Sequence, residues 1–312
     1  MALKVLPGPR LAERTTLRLG GRARAELRLE SPEDCHALAD ELTRLEASPP
    51  HIMVLGWGSN LLAADEELPL VVLSQAGAEP ELAGAAENGR QRVRVRGGLM
   101  LPKLITWAAA RGLSGLEGLA GIPGTVGGAV AMNAGSYGRQ MAELLTAVRL
   151  WTLQDGLAWI GPEGWTAGYR HFQPLTVAGA TGATTAGPAE FWLVAEAELT
   201  LTVDDAERVK AAVAEVLAKK KATQPVSAAT CGCVFKNPEG PCAGQSAGRM
   251  LDACGFKGKH LGGMAFSALH ANFLVNEGRG TARAARELIN QAREAVAGRF
   301  GVNLELEVRV LQ

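Results

Sequence analysis

Apolar residues recur along this chain with two periods, and the switches between them mark its elements. Cys35, Leu38, Leu42 and Leu45 keep helical spacing. Ahead of them Ser31-Pro32-Glu33-Asp34 supplies a capping serine, a proline at the first helical position and acid in the first turn. Pro49-Pro50 ends that helix, and residues 51–55 (HIMVL) follow as a short buried strand. Residues 70–73 form another, 75–91 a polar hairpin or loop, and 92–96 (RVRVR) a strand with one wet face. A helix is predicted over 102–111 and a strand over 145–153. Asp204 or Asp205 caps a helix with the apolar stripe Val209, Val213, Val216 and Leu217; Lys219-Lys220-Lys221 stands at its end, where the macrodipole favours cations. A loop at 231–238 leads to a short helix stopped by Gly255. The last helix, 281–299, buries Ala285, Leu288, Ile289, Ala292 and Val296 and stops at Gly301. Residues 303–312 then alternate Leu304, Leu306, Val308 and Val310 against Glu305, Glu307 and Arg309, a strand with one core face.

Glycine changes this picture more than any other residue. The chain has 38 glycines in 312 residues, clustered in loops rather than spread through a repeat. The stretch 121–135 (GIPGTVGGAVAMNAG) is dense in glycine, apolar between the glycines and uncharged, unlike a flexible linker. Backbone N–H groups unscreened by Cβ atoms form a concavity for an anion such as phosphate; a run of tight turns between buried strands is the plainer alternative. Gly56-Trp57-Gly58-Ser59-Asn60 is a second such turn after a strand, but it lacks the third glycine and long helix of a dinucleotide fingerprint. Residues 168–172 (GYRHF) are an isolated aromatic and cationic cluster within a Gly/Trp-rich loop, and 177–189 reads as a low-complexity exposed loop.

Lys plus Arg equals Asp plus Glu at 32 each, so no global field favours nucleic acid or a membrane surface, though a local basic pocket for a phosphorylated small molecule remains open. No signal-peptide core and no stretch near about 18 apolar residues appears, which predicts a soluble, cytoplasmic protein without membrane insertion. Five cysteines give no disulfide framework. Cys231, Cys233, Cys242 and Cys254, with His260 and His270, offer ligand chemistry for a metal, but their spacing is not that of a zinc site, and no metal is expected.

Six segments, in this order, resemble the UDP-N-acetylenolpyruvoylglucosamine reductase family: 55–62 (LGWGSNLL), 115–138, Tyr169-Arg170, 233–238 (CVFKNP), 270–273 (HANF) and 307–309 (EVR). The likeness runs from about residue 16 to 309. It implies an α+β fold, with a two-part FAD-binding domain of the vanillyl-alcohol-oxidase type (residues 1–80 and 81–222) and a smaller α+β substrate-binding domain (223–312) whose last strand reaches the active site. It also implies FAD as cofactor, NADPH as reductant, and reduction of UDP-N-acetylglucosamine enolpyruvate to UDP-N-acetylmuramate for peptidoglycan. By the same resemblance Gly56, Trp57, Gly58, Ser59, Asn60 and Leu61, with Gly121, Ile122, Pro123, Gly124, Thr125, Gly127 and Gly128, bind the cofactor, and Asn133 and Ala134 lie near its ring. Arg170 would stabilise developing negative charge, Glu307 would assist, and Cys233 would deliver the proton where the family commonly uses serine. Tyr169, Lys236, Asn237 and His270 would meet substrate. A monomer is expected, and the charge balance predicts no nucleic-acid partner. Some members close a tyrosine-bearing loop over the nucleotide; this chain has only Tyr137 and Tyr169 and resembles the shorter class without it. Trp57 stands where a small residue is usual. Two other readings keep the glycine turns: a flavin-dependent oxidase of the same FAD fold, and a non-catalytic flavin- or nucleotide-binding protein. The second would not need Arg170, Cys233 and Glu307 together.

Overall fold

The structure, a computed structural model, describes residues 3–175, 188–239 and 244–312. Most of the loop expected at 177–189 lies outside the described residues, as does Cys242. The chain divides into two compact units. The first comprises Met1–Pro7, Ala25–Trp57 and Leu70–Ala218, and the second Gly8–Arg24, Gly58–Pro69 and Lys219–Gln312.

The first unit carries two sheets. One has the order Lys4–Pro7, Ala23–Leu29, Leu68–Gln75, Ile52–Val54, with Ile52–Val54 parallel to Leu68–Gln75. Its core takes in Leu27, Cys35, Leu38, Leu73, Trp151 and Leu193, and burial pushes the Cys35 thiol up to about 12. Cys35 and Leu38 reach that core from a 3-10 helix, Pro32–Ala37, followed by the α-helix Leu38–Arg44, rather than from one α-helix. The expected cap is present: the Ser31 N–H donates to Asp34 Oδ2 at 2.9 Å in a capping box.

The other sheet runs Gly156–Ile160, Leu145–Thr152, Trp192–Val203, Arg90–Arg96, Glu81–Leu82, antiparallel at each step. Val93 and Val95 point into a core shared with Leu101, Leu104, Val126, Val148 and Leu199, while Arg92 and Arg94 point outward. Both exposed arginines also reach Glu198, at 3.3 and 3.4 Å. Asp205 caps the helix Ala206–Thr223 by accepting the Arg208 N–H at 2.9 Å. Val209, Val213 and Val216 pack on the core, but Leu217 is exposed and does not belong to the stripe. The helix turns about 100° per residue, and a residue eight positions after Val209 has rotated off the packed face.

The second unit has an antiparallel sheet ordered Thr230–Cys233, Phe273–Asn276, Met264–Phe266, His260–Leu261, so the expected loop at 231–238 begins as strand. The helix Ala282–Phe300 covers its core with Ala285, Leu288, Ile289, Ala292 and Val296. Thr281 caps it by accepting the Ala284 N–H at 3.1 Å, and Gly301 ends it with φ +68°. Leu17, Leu19 and Leu62 join that core from far earlier in the sequence. At the C-terminus Leu304 and Val308 are buried and Glu305 and Arg309 exposed as expected, but Glu307 is half-buried like Leu306, and the strand itself is only Arg309–Leu311, parallel to Leu61–Ala63.

Candidate functional site

In the first unit the glycine stretch folds as a turn leading into a short helix. Gly121 and Gly124 hold φ of +76° and +133°, conformations that favour glycine. Thr125 then caps the helix Val126–Ala131 by accepting the Gly128 N–H at 3.3 Å. The Val126 and Gly127 N–H groups donate to Leu99 O and Gly97 O, each at 2.8 Å. A Cβ on Gly127 would lie 3.1 Å from Gly97 O. Gly127 therefore serves the packing of this helix, and the N–H groups of Gly127 and Gly128 are committed within the chain. Ile122 packs on the core. A Cβ on Gly56 would lie 2.5 Å from Thr125 Oγ1, so the two glycine-rich turns meet there. Trp57, beside that contact, is 54% exposed. Gly97 and Gly98 were not singled out from the sequence, although a glycine pair directly after the alternating strand was a usable signal; a Cβ on Gly98 would lie 2.5 Å from Gln75 O.

Tyr169 and Arg170 occupy the turn of a hairpin, Trp165–Gly168 with His171–Pro174, rather than an irregular loop. Arg170 has φ +54°, its Nη1 donates to Gly135 O at 3.1 Å, and its guanidinium carbon lies 5.2 Å from the Tyr169 ring centroid. The end of the glycine stretch thus holds the arginine. Asn133, buried and at φ +38°, ties the same parts together. Its Nδ2 donates to Gly168 O and to Gln140 Oε1, both at 2.8 Å, and its Oδ1 accepts the Ala142 N–H at 2.9 Å. Ala134 follows as a core residue.

In the second unit Cys233 ends its strand opposite Phe273, past a register slip, with Gly232 at φ +79°. The chain beyond it is gripped on both sides. Asn272 accepts the Phe235 N–H at 3.0 Å and donates to Phe235 O at 2.8 Å, while the Glu307 N–H donates to Val234 O at 2.8 Å. Asn60 Nδ2 donates to the Glu307 carbonyl at 2.9 Å. Leu61 begins the strand paired with Arg309. Gly58 has φ +62°, and a Cβ there would lie 2.3 Å from Arg14 O. This unit therefore gathers Gly58, Asn60, Cys233 and Glu307 on adjoining backbone, and Ser59 lies within the same turn.

The four residues expected to meet substrate differ in how committed they are. Lys236 Nζ pairs with Glu305 Oε2 at 3.2 Å, and Asn237 Oδ1 accepts the Ala247 N–H at 3.0 Å. His270 Nδ1 accepts the Asn272 N–H at 3.2 Å, and the ring stands edge-on to Phe273 with centroids 4.8 Å apart. Burial holds its pKa below the usual histidine value, with Lys257 adding to that shift, so it is a neutral ring near pH 7. Tyr169 is 40% exposed.

Cys231 is a core residue whose thiol burial pushes up to about 12, with the Glu307 carboxylate opposing ionisation further. Cys254 Sγ lies 3.6 Å from Ala295 O. Among the described residues no group of three or more His, Cys, Asp or Glu side chains could hold a metal ion, and no helix is long and apolar enough to cross a membrane.

Residues 224–311 match the UDP-N-acetylenolpyruvoylglucosamine reductase C-terminal domain, and residues 27–161 match an FAD binding domain. The UDP-N-acetylenolpyruvoylglucosamine reductase of Oleidesulfovibrio alaskensis is 49% identical over 98% of this chain and 97% of its own. That of Nitratidesulfovibrio vulgaris is 47% identical over 99% of both. The solved UDP-N-acetylenolpyruvylglucosamine reductase of Thermus caldophilus superposes with a TM-score of 0.76 at 34% identity, covering 99% of this chain and 100% of that one. The expected fold class therefore holds as an FAD-binding domain with a smaller α+β domain. Glycine turns without a dinucleotide fingerprint, an arginine clamped at the end of one of them, and this likeness over almost the whole length together make the chain a member of the UDP-N-acetylenolpyruvoylglucosamine reductase family, an oxidoreductase with FAD as cofactor.

Proposed function

We propose that this protein, acting as a cytoplasmic monomer, uses NADPH to reduce UDP-N-acetylglucosamine enolpyruvate to UDP-N-acetylmuramate. The observation that carries the reading is the backbone junction in the second unit. There Val234, one residue after the thiol, accepts the Glu307 N–H, and Glu307 in turn is held by Asn60 of a glycine-rich turn.

The residues present fit FAD. Two glycine turns meet at Gly56 and Thr125 with no Cβ to spare, which suits a diphosphate approached by backbone. In the first unit, with the N–H groups of Val126, Gly127 and Gly128 already used, the turn 121–125 is the part that would hold it; in the second unit the turn 58–60 is the glycine-rich part of the same kind. Bound FAD supplies the hydride chemistry, from NADPH to the terminal carbon of the enolpyruvyl group.

The chain's own residues do the rest. The Arg170 guanidinium, fixed by Gly135 O, is suited to the negative charge that grows on the substrate's carboxylate and enolate. Cys233 delivers a proton to the neighbouring carbon; a thiol, with an ordinary pKa of about 8.5, is a far stronger acid than a serine hydroxyl. Glu307 hydrogen-bonds the developing acid. Lys236 meets substrate phosphate by leaving its exposed partner Glu305, a small loss because such pairs contribute about 0–1 kcal/mol. Tyr169, Asn237 and neutral His270 complete the substrate contacts.

The test separates the two half-reactions. Anaerobic NADPH should bleach the yellow protein, and the enolpyruvyl nucleotide should restore its colour. Cys233→Ala should bleach normally yet recover colour slower by several orders of magnitude, with Cys233→Ser retaining much of the rate. Normal turnover in the alanine variant would remove the thiol from the mechanism. A protein that bleaches but never recovers would belong to another flavin-dependent reaction.

A further inference from the structure

The strand that ends in Cys233 is anchored at its start by a residue from far earlier in the sequence. Thr16 donates its hydroxyl to Thr230 O at 2.6 Å, and its N–H donates to Gly58 O at 3.2 Å. The Thr230 hydroxyl donates to Leu274 O at 2.6 Å and accepts the Gly232 N–H at 3.2 Å. Between Thr230 and Cys233 the register slips against Val275 and Phe273, and Gly232 is left-handed. A bulge re-aims the side chain that follows it, so the fixing of Thr230 sets where Cys233 emerges. The same turn reaches the other proposed catalytic group: Asn60 Nδ2 donates to Glu307 O at 2.9 Å, and Asn60 O accepts the Arg309 N–H at 3.2 Å.

We propose that Thr16 is a positioning residue that couples the Gly58–Asn60 turn to Cys233, so that filling this turn with cofactor sets the proton donor. The inference rests on the function proposed above. Thr16 touches no reacting atom in this account; it acts through Thr230 and the bulge.

Thr16→Val removes the hydroxyl, keeps the side-chain shape and leaves the N–H bond to Gly58. The holoenzyme variant should bleach with NADPH at the wild-type rate and recover colour with the enolpyruvyl nucleotide about tenfold more slowly, the scale of one lost hydrogen bond. Thr16→Ser should return to within about twofold. A second readout is alkylation of Cys233 by iodoacetamide, mapped by mass spectrometry as a function of pH. FAD should shift that profile in the wild type and in Thr16→Ser, and leave it unmoved in Thr16→Val. Equal slowing of both half-reactions, or a valine variant that keeps the FAD-dependent shift, overturns the coupling. Should the valine chain not fold, the wild type decides alone, since identical alkylation with and without FAD also overturns it. A wild type that never reoxidises with the nucleotide defeats the proposed function instead, and the alkylation comparison still judges Thr16.

Discussion

Asn133 uses its side chain on the chain itself. Family resemblance brings it near the cofactor ring, but its amide is occupied by Gly168, Gln140 and Ala142, and what it holds is the hairpin bearing Arg170. Asn133→Ala should destabilise the protein by about 3 kcal/mol, from buried groups left without partners plus strain at positive φ. A urea midpoint within error of wild type would show that those bonds contribute nothing. His270 gives a pH prediction. Its folded pKa lies below its unfolded value, so protonation favours the unfolded chain. The stability it contributes is complete above about pH 6.5 and is lost as pH falls through the lower folded pKa. His270→Gln should flatten that part of the acid limb of stability, and an NMR titration midpoint at or above 6.5 would contradict the shift. At this scale the family resemblance proposed Arg170, Cys233 and Glu307 from the sequence. It could not name Asn133's partners or Asn272, because a buried amide gripping backbone looks like any other asparagine until the backbone is in place.

Among elements, alternation and caps were legible, and pairing partners were not. The helix Ala282–Phe300 has its expected stripe and stop, and Thr281 caps it, since each is set by residues within one or two turns. Each leucine-sized side chain it buries contributes about 2 kcal/mol against about 1 for the Thr281 cap, so the stripe decides the helix and the cap trims its end. Thr281→Ala should cost about 1 kcal/mol in urea unfolding. The C-terminal segment shows the other case. Its alternation reported burial at every position from Leu304 to Arg309 but Glu307, yet a ladder needs a partner, and Leu61–Ala63 is long enough to pair only with Arg309–Leu311. The hairpin around Tyr169-Arg170 escaped notice because its strands lack a clean alternation. On the Arg90–Arg96 strand, Arg92 and Arg94 share Glu198 while remaining 60% and 46% exposed. Glu198→Gln should therefore change stability by less than about 1 kcal/mol, and less again in high salt. A larger loss would mean the ladder is more than a wet surface.

At the scale of the whole molecule, the chain passes between its two compact units five times, at 7/8, 24/25, 57/58, 69/70 and 218/219. No shift in composition marks 24, 57 or 69, because both units draw on the same alternation of apolar and charged residues. The divisions follow from long-range contacts that a one-dimensional pattern does not carry. Leu17, Leu19 and Leu62, at 0%, 4% and 1% exposure, belong to the core under the helix Ala282–Phe300. Residues 219–312 expressed alone should therefore lack cooperative unfolding and dispersed NMR signals. A cooperative denaturant transition in that fragment would show that its own core suffices.

The five crossings also impose a timetable on synthesis. Residues 8–24 leave the ribosome well before the rest of the core they belong to, residues 219–312. At about 5–20 residues per second the first leucines wait on the order of 15–60 s for their partners. Throughout that interval a nascent chain displays Leu17, Leu19 and Leu62 with nothing of their own core to cover them, which makes it a client for holding chaperones until the final helix arrives.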